Sequence, residues 1–406
     1  MSDQSPYATI LQQTFSTTTQ NQTVTNTSIR DNVSIIRAVG HGTCGTVYGI
    51  RAIKRVIKLG RNEDALRRDF AQTKKAWQSV QSLEHMLQSH FHSYGLVLSI
   101  PNIPRCFRFY SNCSQRIQRY EHELSGDESS SQSEIDEEDR DKPGFTMQRI
   151  PPIPTAARIA LVKELFAGED QDRFLNNPEN DDCLLRLYFG KVVDDDERFE
   201  DLRNFPLHDD QMDDIGLDTH TLVIELAIGL AIIHWGAELD GMDVEFVLSA
   251  RFSARIEANG TINGAVAEPT NETRRSTHLW VLDFDKAKPI SIKEDRDALI
   301  RRLVVATSGN DPYFPRPSVN EERWNQFKWA YIEAGKKILK QKIDEQVEEV
   351  VDGGLLDLPA LFISALDAQF EWEDEREEEA FIQFEAEDEE ESDEDTFVQF
   401  QENDSE

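Results

Sequence analysis

Gly40-His41-Gly42-Thr43-Cys44-Gly45-Thr46-Val47 is the stretch whose reading decides the fold. It spells G-x-G-x-x-G-x-V. Glycines let a backbone pass close to phosphate groups and present N–H donors to them. The spacing alone is a weak signal, so the flanking residues decide its meaning. A dinucleotide-binding fingerprint runs from its glycines into a helix. Here the glycines run into Thr46-Val47-Tyr48-Gly49-Ile50, and Val33-Ser34-Ile35-Ile36 precedes them. Both flanks are rich in β-branched residues and read as strands. The setting is therefore strand–loop–strand, with a plain hairpin turn as the bland alternative.

Outward from the loop, Arg55-Val56-Ile57-Lys58-Leu59 reads as a third strand. Lys58 is the candidate phosphate-pairing lysine, with Lys54 as its rival. Lys58 is preferred because the chain needs room to turn after Ile50. Leu66, Phe70, Trp77, Val80, Leu83 and Leu87 then recur at helical spacing. Asp69 on this helix is the candidate acid to pair with Lys58, although a solvated helix charge is the ordinary reading. Leu96 to Ile100, Arg105 to Tyr110 and Gly144 to Ile150 read as further strands, the last stopped by Pro151-Pro152.

Beyond residue 150 the chain reads as mainly helical. Thr155 to Phe166, Thr221 to Trp235 and the Trp324-Phe327-Tyr331-Ala334-Ile338 stripe are the candidate helices. The second is the most apolar run, too short to span a bilayer and carrying Glu225, so it reads as a buried helix. After it comes Ile233-His234-Trp235-Gly236-Ala237-Glu238-Leu239-Asp240-Gly241-Met242-Asp243-Val244-Glu245-Phe246-Val247-Leu248. Protein kinases place H-R-D-L-x-x-x-N between a helix and an apolar strand. Aligned on the strand, Asp240 takes the catalytic base position, Asp243 is the alternative base, and Glu245 takes the place of the metal-binding Asn. The His-Arg pair is absent. Trp280-Val281-Leu282-Asp283-Phe284-Asp285 resembles the D-F-G strand end, with Asp283 as candidate Mg²⁺ ligand and Asp285 in place of glycine. A second acid there is similar to small-molecule kinases of the choline and aminoglycoside phosphotransferase type.

These elements predict an α+β protein with a two-lobed, protein-kinase-like fold. A small antiparallel β-rich N-lobe would cover 31–150 and a larger helical C-lobe 151–366. Gly40, Gly42, Gly45, Lys58 and Asp69 would bind ATP, with Asp283 and Glu245 on Mg²⁺ and Asp240 as base. Transfer to a small molecule, a scaffold with little or no catalysis, and an interaction protein that binds no nucleotide, its motif matches being coincidence, are all open.

Several stretches carry a family resemblance. They are Phe145-Thr146-Met147-Gln148-Arg149-Ile150-Pro151-Pro152, Leu184 to Lys191, Ile233-His234-Trp235, Asp240 to Leu248, Leu282-Asp283-Phe284-Asp285, Asp311-Pro312-Tyr313-Phe314-Pro315-Arg316-Pro317 and Trp324 to Tyr331. With them the chain, from about Val33 to about Leu339, resembles a fungal kinase-like family of unknown function that is loosely labelled zinc-finger-like. The resemblance implies a kinase-like fold and makes Met147-Gln148-Arg149 the hinge against which an adenine would sit.

The charge sets the remaining expectations. The net charge is -34, and residues 371–406 hold 19 acidic residues against one basic residue, Arg376. Residues 121–142 hold 10 acidic and two basic residues. Like-charge blocks repel themselves and bury little apolar surface. They predict a disordered insertion at 121–142 and a disordered tail at 367–406, after a flexible arm at 1–30. Phe381, Phe384, Phe397, Val398 and Phe400 punctuate the tail and suit docking on a basic protein partner. Ser129 to Ser133 and Ser392 lie in acidic surroundings suited to phosphorylation. Nucleic acid is not expected as a partner, because phosphate binding needs clustered Lys and Arg. Cys44, Cys106, Cys113 and Cys183 lack zinc-site spacing, so no zinc is expected. Reduced thiols and the lack of an apolar leader point to an intracellular protein, in cytoplasm or nucleus, with no membrane contact.

Overall fold

The computed structural model describes residues 5–16, 34–50, 53–124, 132–194, 197–250, 277–345 and 354–376. These form a mixed α+β protein with a six-stranded and a four-stranded sheet.

The chain opens with helix α1 (Pro6–Phe15). The Ser5 hydroxyl caps it by accepting from the Tyr7 amide at 3.2 Å, and Pro6 pre-sets the first turn. Leu11 and Phe15, one turn apart, are fully buried in the largest hydrophobic cluster, and α1 packs on a later helix. The expected flexible arm is therefore corrected for residues 5–16. Two large apolar side chains at i, i+4 suffice to dock a helix in Ser/Thr/Gln-rich surroundings. Residues 17–33 lie outside the described residues.

The first sheet is built from β1 (Ser34–Gly42), β2 (Gly45–Ile50) and β3 (Arg55–Leu59). The long helix α2 (Glu63–His92) follows, then β4 (Cys106–Tyr110) and α3 (Ser114–Leu124). The short β5 (Gln132–Ser133), α4 (Glu137–Arg140) and β6 (Gly144–Gln148) complete it. The strand order is β4-β6-β3-β2-β1-β5. Pairing is antiparallel except between β1 and β5. Leu96 to Ile100, expected as a strand, joins neither sheet. Its Ser99 amide instead donates to the buried Glu225 carboxylate at 2.7 Å, and Pro101 and Pro104 close by cannot donate to a ladder.

The expected disordered insertion at 121–142 is also corrected. Arg140 makes two hydrogen bonds to Glu121, at 2.8 and 3.0 Å, tying α4 to α3. Lys142 pairs with Asp139, and Ile135 is buried among Ile35, Ile36 and Tyr48. The basic pair Arg140 and Lys142 neutralises the acids locally, and one isoleucine anchors the segment. Residues 125–131, which include Ser129 to Ser131, lie outside the described residues.

The second half was expected to be mainly helical, and it carries a sheet of its own. Helices α5 (Thr155–Leu165) and α6 (Glu169–Asn176) lead through the turn Pro178–Asp182 to β7 (Leu185–Tyr188) and β8 (Phe205–His208). After α7 (Asp209–Asp214) comes α8 (Thr219–Ala231), which runs on as a π-helical turn, Ile232–Gly236. Strands β9 (Glu245–Ala250) and β10 (Thr277–Leu282) follow, then α9 (Arg296–Ser308) and α10 (Glu321–Glu345). The last described helix, α11, spans 358–376. The second sheet has the order β10-β9-β7-β8, with only β7 and β8 parallel. Strands β9 and β10 fall on the apolar strands read beside the two acidic motifs, whereas β7 and β8 are four residues each and show no period by which to tell them from helix.

Helix α8 is apolar all round, and every residue from Leu222 to Ala231 is buried. By length and composition Thr219–Gly236 is long enough to cross a membrane, but 83% of that window is buried inside the fold. That is the environment of a central core helix. The expected tail boundary at 367 falls inside α11. Leu366 and Phe370 are buried, the Trp324 indole donates to Asp367 at 2.7 Å, and Arg316 pairs with Glu373 at 3.0 Å. Residues 377–406, with Phe381, Phe384, Phe397, Phe400 and Ser392, lie outside the described residues.

The docking of α1 gives a first prediction. Phe15→Ala should cost about 3–5 kcal/mol in denaturant unfolding, as for other buried phenylalanines. A loose arm at this place would leave the midpoint unmoved.

Candidate functional site

Lys58 lies on β3, a central strand, opposite Val47 on β2 and Phe145 on β6. Alternation sends Ile57 and Leu59 into one small core and Lys58 to the other face. Lys54 precedes the strand and is exposed. Lys58 is only 4% exposed, and its ammonium touches two carboxylates. One is Asp69, at 2.7 Å, and the other is Asp283, at 2.8 Å. Asp69 sits on the inner face of α2, 3% exposed, and accepts a second hydrogen bond from Thr73 at 3.0 Å. The helix starts at Asn62, whose side chain accepts from the Ala65 amide. Asp283 stands just past the end of β10 with a left-handed backbone, φ 60°. So a strand, a helix and a strand end from both halves of the chain meet at one ammonium group.

Burial on its own would lower the Lys58 ammonium's pKa, but the two carboxylates outweigh it and hold the lysine protonated. Burial pushes the Asp69 carboxyl up, against the pull of Lys58. One cation between two anions leaves the cluster with one excess negative charge.

The expected base and metal ligands are placed differently. Asp240 is 3% exposed, and one carboxylate oxygen accepts from the amides of Lys288 (2.8 Å) and Met242 (3.3 Å). Its main chain also pairs with Lys288, and Ile290 pairs with Glu238. Asp240 therefore staples the 238–243 loop to the segment that follows Asp285. The expected base thus lies buried, with one carboxylate oxygen engaged by the main chain. Asp243 is half-exposed, left-handed (φ 61°) and paired with Lys286 at 2.7 Å. Glu245, at the start of β9, lies opposite Leu282 and so beside Asp283. Its carboxylate is held by Arg186, which also reaches Asp311 at 3.2 Å. Burial first, and then the neighbouring acids, push Glu245 up to about 7 against the Arg186 charge.

Sequence reasoning missed Arg186, Asp311, Lys286 and Cys44 as parts of this site. Arg186 is a lone charge between Leu185 and Leu187, the one signal that was available. Asp311 accepts from the Tyr188 hydroxyl at 2.8 Å across a sequence gap that no local pattern reports.

The expected hinge has little to offer an adenine. The Gln148 amide donates to Arg105 and the Arg149 amide to Lys54. Pro151 and Pro152 have no N–H. The Arg149 guanidinium is buried on Asp182 at 2.5 Å, and Arg37 from β1 meets the same carboxylate at 2.5 Å.

The three loop glycines are not equivalent. A Cβ at Gly45 would collide with the Leu59 carbonyl oxygen, so packing demands glycine there. Gly40 has nothing within 4 Å, and a Cβ at Gly42 would stand 3.8 Å from an Asp283 oxygen. Between them, Cys44 donates its thiol to Asp285, and burial first and then this contact push it up to about 11. The other Asp285 oxygen is buried with no hydrogen-bond partner.

Behind the loop, the wholly buried His234 organises the main chain. Its Nε2 lies 3.2 Å from the Asp240 carbonyl oxygen and must donate to it, so its Nδ1 accepts from the Tyr331 hydroxyl at 2.7 Å. Burial pushes this imidazole down to about 3.

Among the described residues, no three His, Cys, Asp or Glu side chains are arranged to hold a metal ion. All four cysteines are free thiols. Residues 279–343, from β10 through most of α10, match the family model DUF3669, described as "Zinc finger protein". No curated protein and no solved structure matches the chain.

Two predictions follow from this geometry. Lys58→Met leaves Asp69 buried without its cation and should destabilise the fold by about 3–5 kcal/mol. Unfolding in urea checks it. His234 stays neutral in the folded chain down to about pH 3, whereas the unfolded chain protonates it near 6.5. Its contribution is thus complete above pH 6.5 and is lost as the pH falls towards 3, about 2 kcal/mol of it by pH 5. His234→Gln should flatten that part of the stability–pH curve, and parallel curves would refute the assignment.

Proposed function

We propose that the chain is a two-lobed, protein-kinase-like nucleotide-binding protein. The meeting of Lys58, Asp69 and Asp283 in one ion triplet carries this reading. They lie on the strand after a glycine loop, on the next helix and at an Asp-Phe-Asp strand end. Kinases use those three places for the phosphate-pairing lysine, its orienting acid and a metal ligand. In this reading the first sheet with α2 is the small lobe, and the second sheet with α5, α8 and α10 is the larger one. Gly40 and Gly42 add support, because the fold's packing does not require them. A glycine that packing does not need is available for close approach of a phosphate.

The donor set suits Mg²⁺, a hard cation that takes oxygen ligands. Asp283 and Asp285 would hold it, and the buried, unpartnered Asp285 oxygen is the observation that fits. Bound there, the ion would neutralise charge on the phosphate oxygens. Lys58 would orient the phosphates while Asp69 fixes its ammonium.

Phosphoryl transfer to a small molecule then depends on Asp243, not Asp240. Asp243 is half-exposed at the loop tip, where a carboxylate can accept a hydroxyl proton. A second reading, a scaffold without turnover, has its own observation. Asp240 and Glu245 have their carboxylates engaged within the protein, and the hinge amides are taken. Nucleotide binding is common to both. The acidic residues 377–406 remain the proposed docking segment for a basic intracellular partner, and deleting them without changing the set of partners would dismiss that role.

Mg·ATP at about 100 times its dissociation constant should stabilise the chain by about 2.7 kcal/mol in a thermal-shift titration. Asp283→Asn should abolish the shift, and a wild-type chain unmoved by millimolar Mg·ATP would end the nucleotide reading. Where turnover is found, Asp243→Asn should remove it. Asp240→Asn should keep it, because the amide oxygen still accepts both backbone N–H groups.

A further inference from the structure

We infer that Cys44 is the latch of the glycine loop: its thiol caps Asp285 and holds the loop down on the acids until a metal–nucleotide ligand takes that carboxylate. The inference rests on the nucleotide reading above and concerns the regulation of the same site.

Cys44 stands at the β1–β2 turn and donates to a carboxylate 241 residues away in sequence. Among the described residues it is the one hydrogen-bond donor to Asp285. The acid is 4% exposed, and its second oxygen has no partner. A buried carboxylate served by one weak S–H donor is poorly satisfied. A cation at the same oxygens would satisfy it better, so the closed loop is a cover that a metal can displace.

The main chain tells the same story. A Cβ at Gly42 would stand in van der Waals contact with an Asp283 oxygen. The Gly42 backbone therefore lies close over that acid while the loop is down. A Cβ at Gly40 would meet nothing within 4 Å, so there is free space on that side of the loop. Lifting separates Cys44 from Asp285 and opens the face of Lys58 and Asp283. The loop is thus a two-position element, and a ligand that needs the raised position binds more weakly by the fraction of time the latch is closed.

The thiol itself reports the latch, because Cys106, Cys113 and Cys183 are buried. The full chain in a metal-free buffer would be treated with iodoacetamide and each cysteine followed by peptide mass spectrometry. Alkylation forms a carbon–sulfur bond as the carbon–iodine bond breaks, with iodide leaving and the thiol proton going to solvent. Asp285→Ala should raise the Cys44 rate about tenfold, the scale of one lost hydrogen bond, while the buried three stay unmodified. Equal rates overturn the latch. Should Asp285→Ala unfold, all four cysteines react, and the affinity comparison decides alone. In that comparison Cys44→Ala should bind Mg·ATP about three- to tenfold tighter than the wild type, and Cys44→Ser, which keeps a donor, should stay near it. Equal affinities overturn the latch and leave the nucleotide reading standing. No thermal shift in either chain overturns that reading and the latch with it.

Discussion

The buried ammonium of Lys58 is the constraint on which the rest of the structure depends. A lone charge in a protein interior is costly, and it is tolerated only where opposite charges meet it at close range. Asp69 and Asp283 meet it at 2.7 and 2.8 Å. One comes from α2 and the other from the end of β10, so a single cation ties the first sheet, its helix and the second sheet together. The glycine loop lies over the same acid: a Cβ at Gly42 would come within 3.8 Å of an Asp283 oxygen.

The other acids of the cleft divide into those the fold uses and those it leaves. Asp240 is used: its carboxylate holds two backbone amides, and His234 holds its carbonyl oxygen from behind. Glu245 is used by Arg186. Asp243 is half-exposed and, among the described residues, held only by the surface Lys286, and Asp285 keeps a buried oxygen without a partner. That division makes metal and phosphate binding easier to support than proton transfer. It is also why a scaffold that binds nucleotide stands beside a transferase as a reading of this site.

Much of the first sheet was legible because β-branched strands with turn residues between them carry a strong local signal. In the second sheet β9 and β10 were legible too, beside the acidic motifs, but β7 and β8 were not. Leu185 to Tyr188 and Phe205 to His208 are four residues each, too short to show a period. The acidic insertion and the two ends misled for a different reason. Polar or charged composition predicts disorder on average, but a few buried side chains anchor these segments: Ile135 in the insertion, Leu11 and Phe15 at the start, and Phe370 near the end. Composition averages over such anchors and so cannot see them.

By itself the sequence determined the chemistry available to the site: a glycine loop, a lysine on the strand after it, and an Asp-Phe-Asp strand end. These are local patterns, set by backbone sterics and side-chain alternation within a few residues. Only the tertiary structure decided which carboxylate does what. Asp240 and Asp243 are three residues apart with the same side chain, and nothing local separates them. What separates them is that the backbone amide of Lys288, brought across from beyond β10, reaches one and not the other. Long-range packing places donors, cations and solvent around each carboxylate, and those surroundings determine whether it is a structural staple or a reactive group.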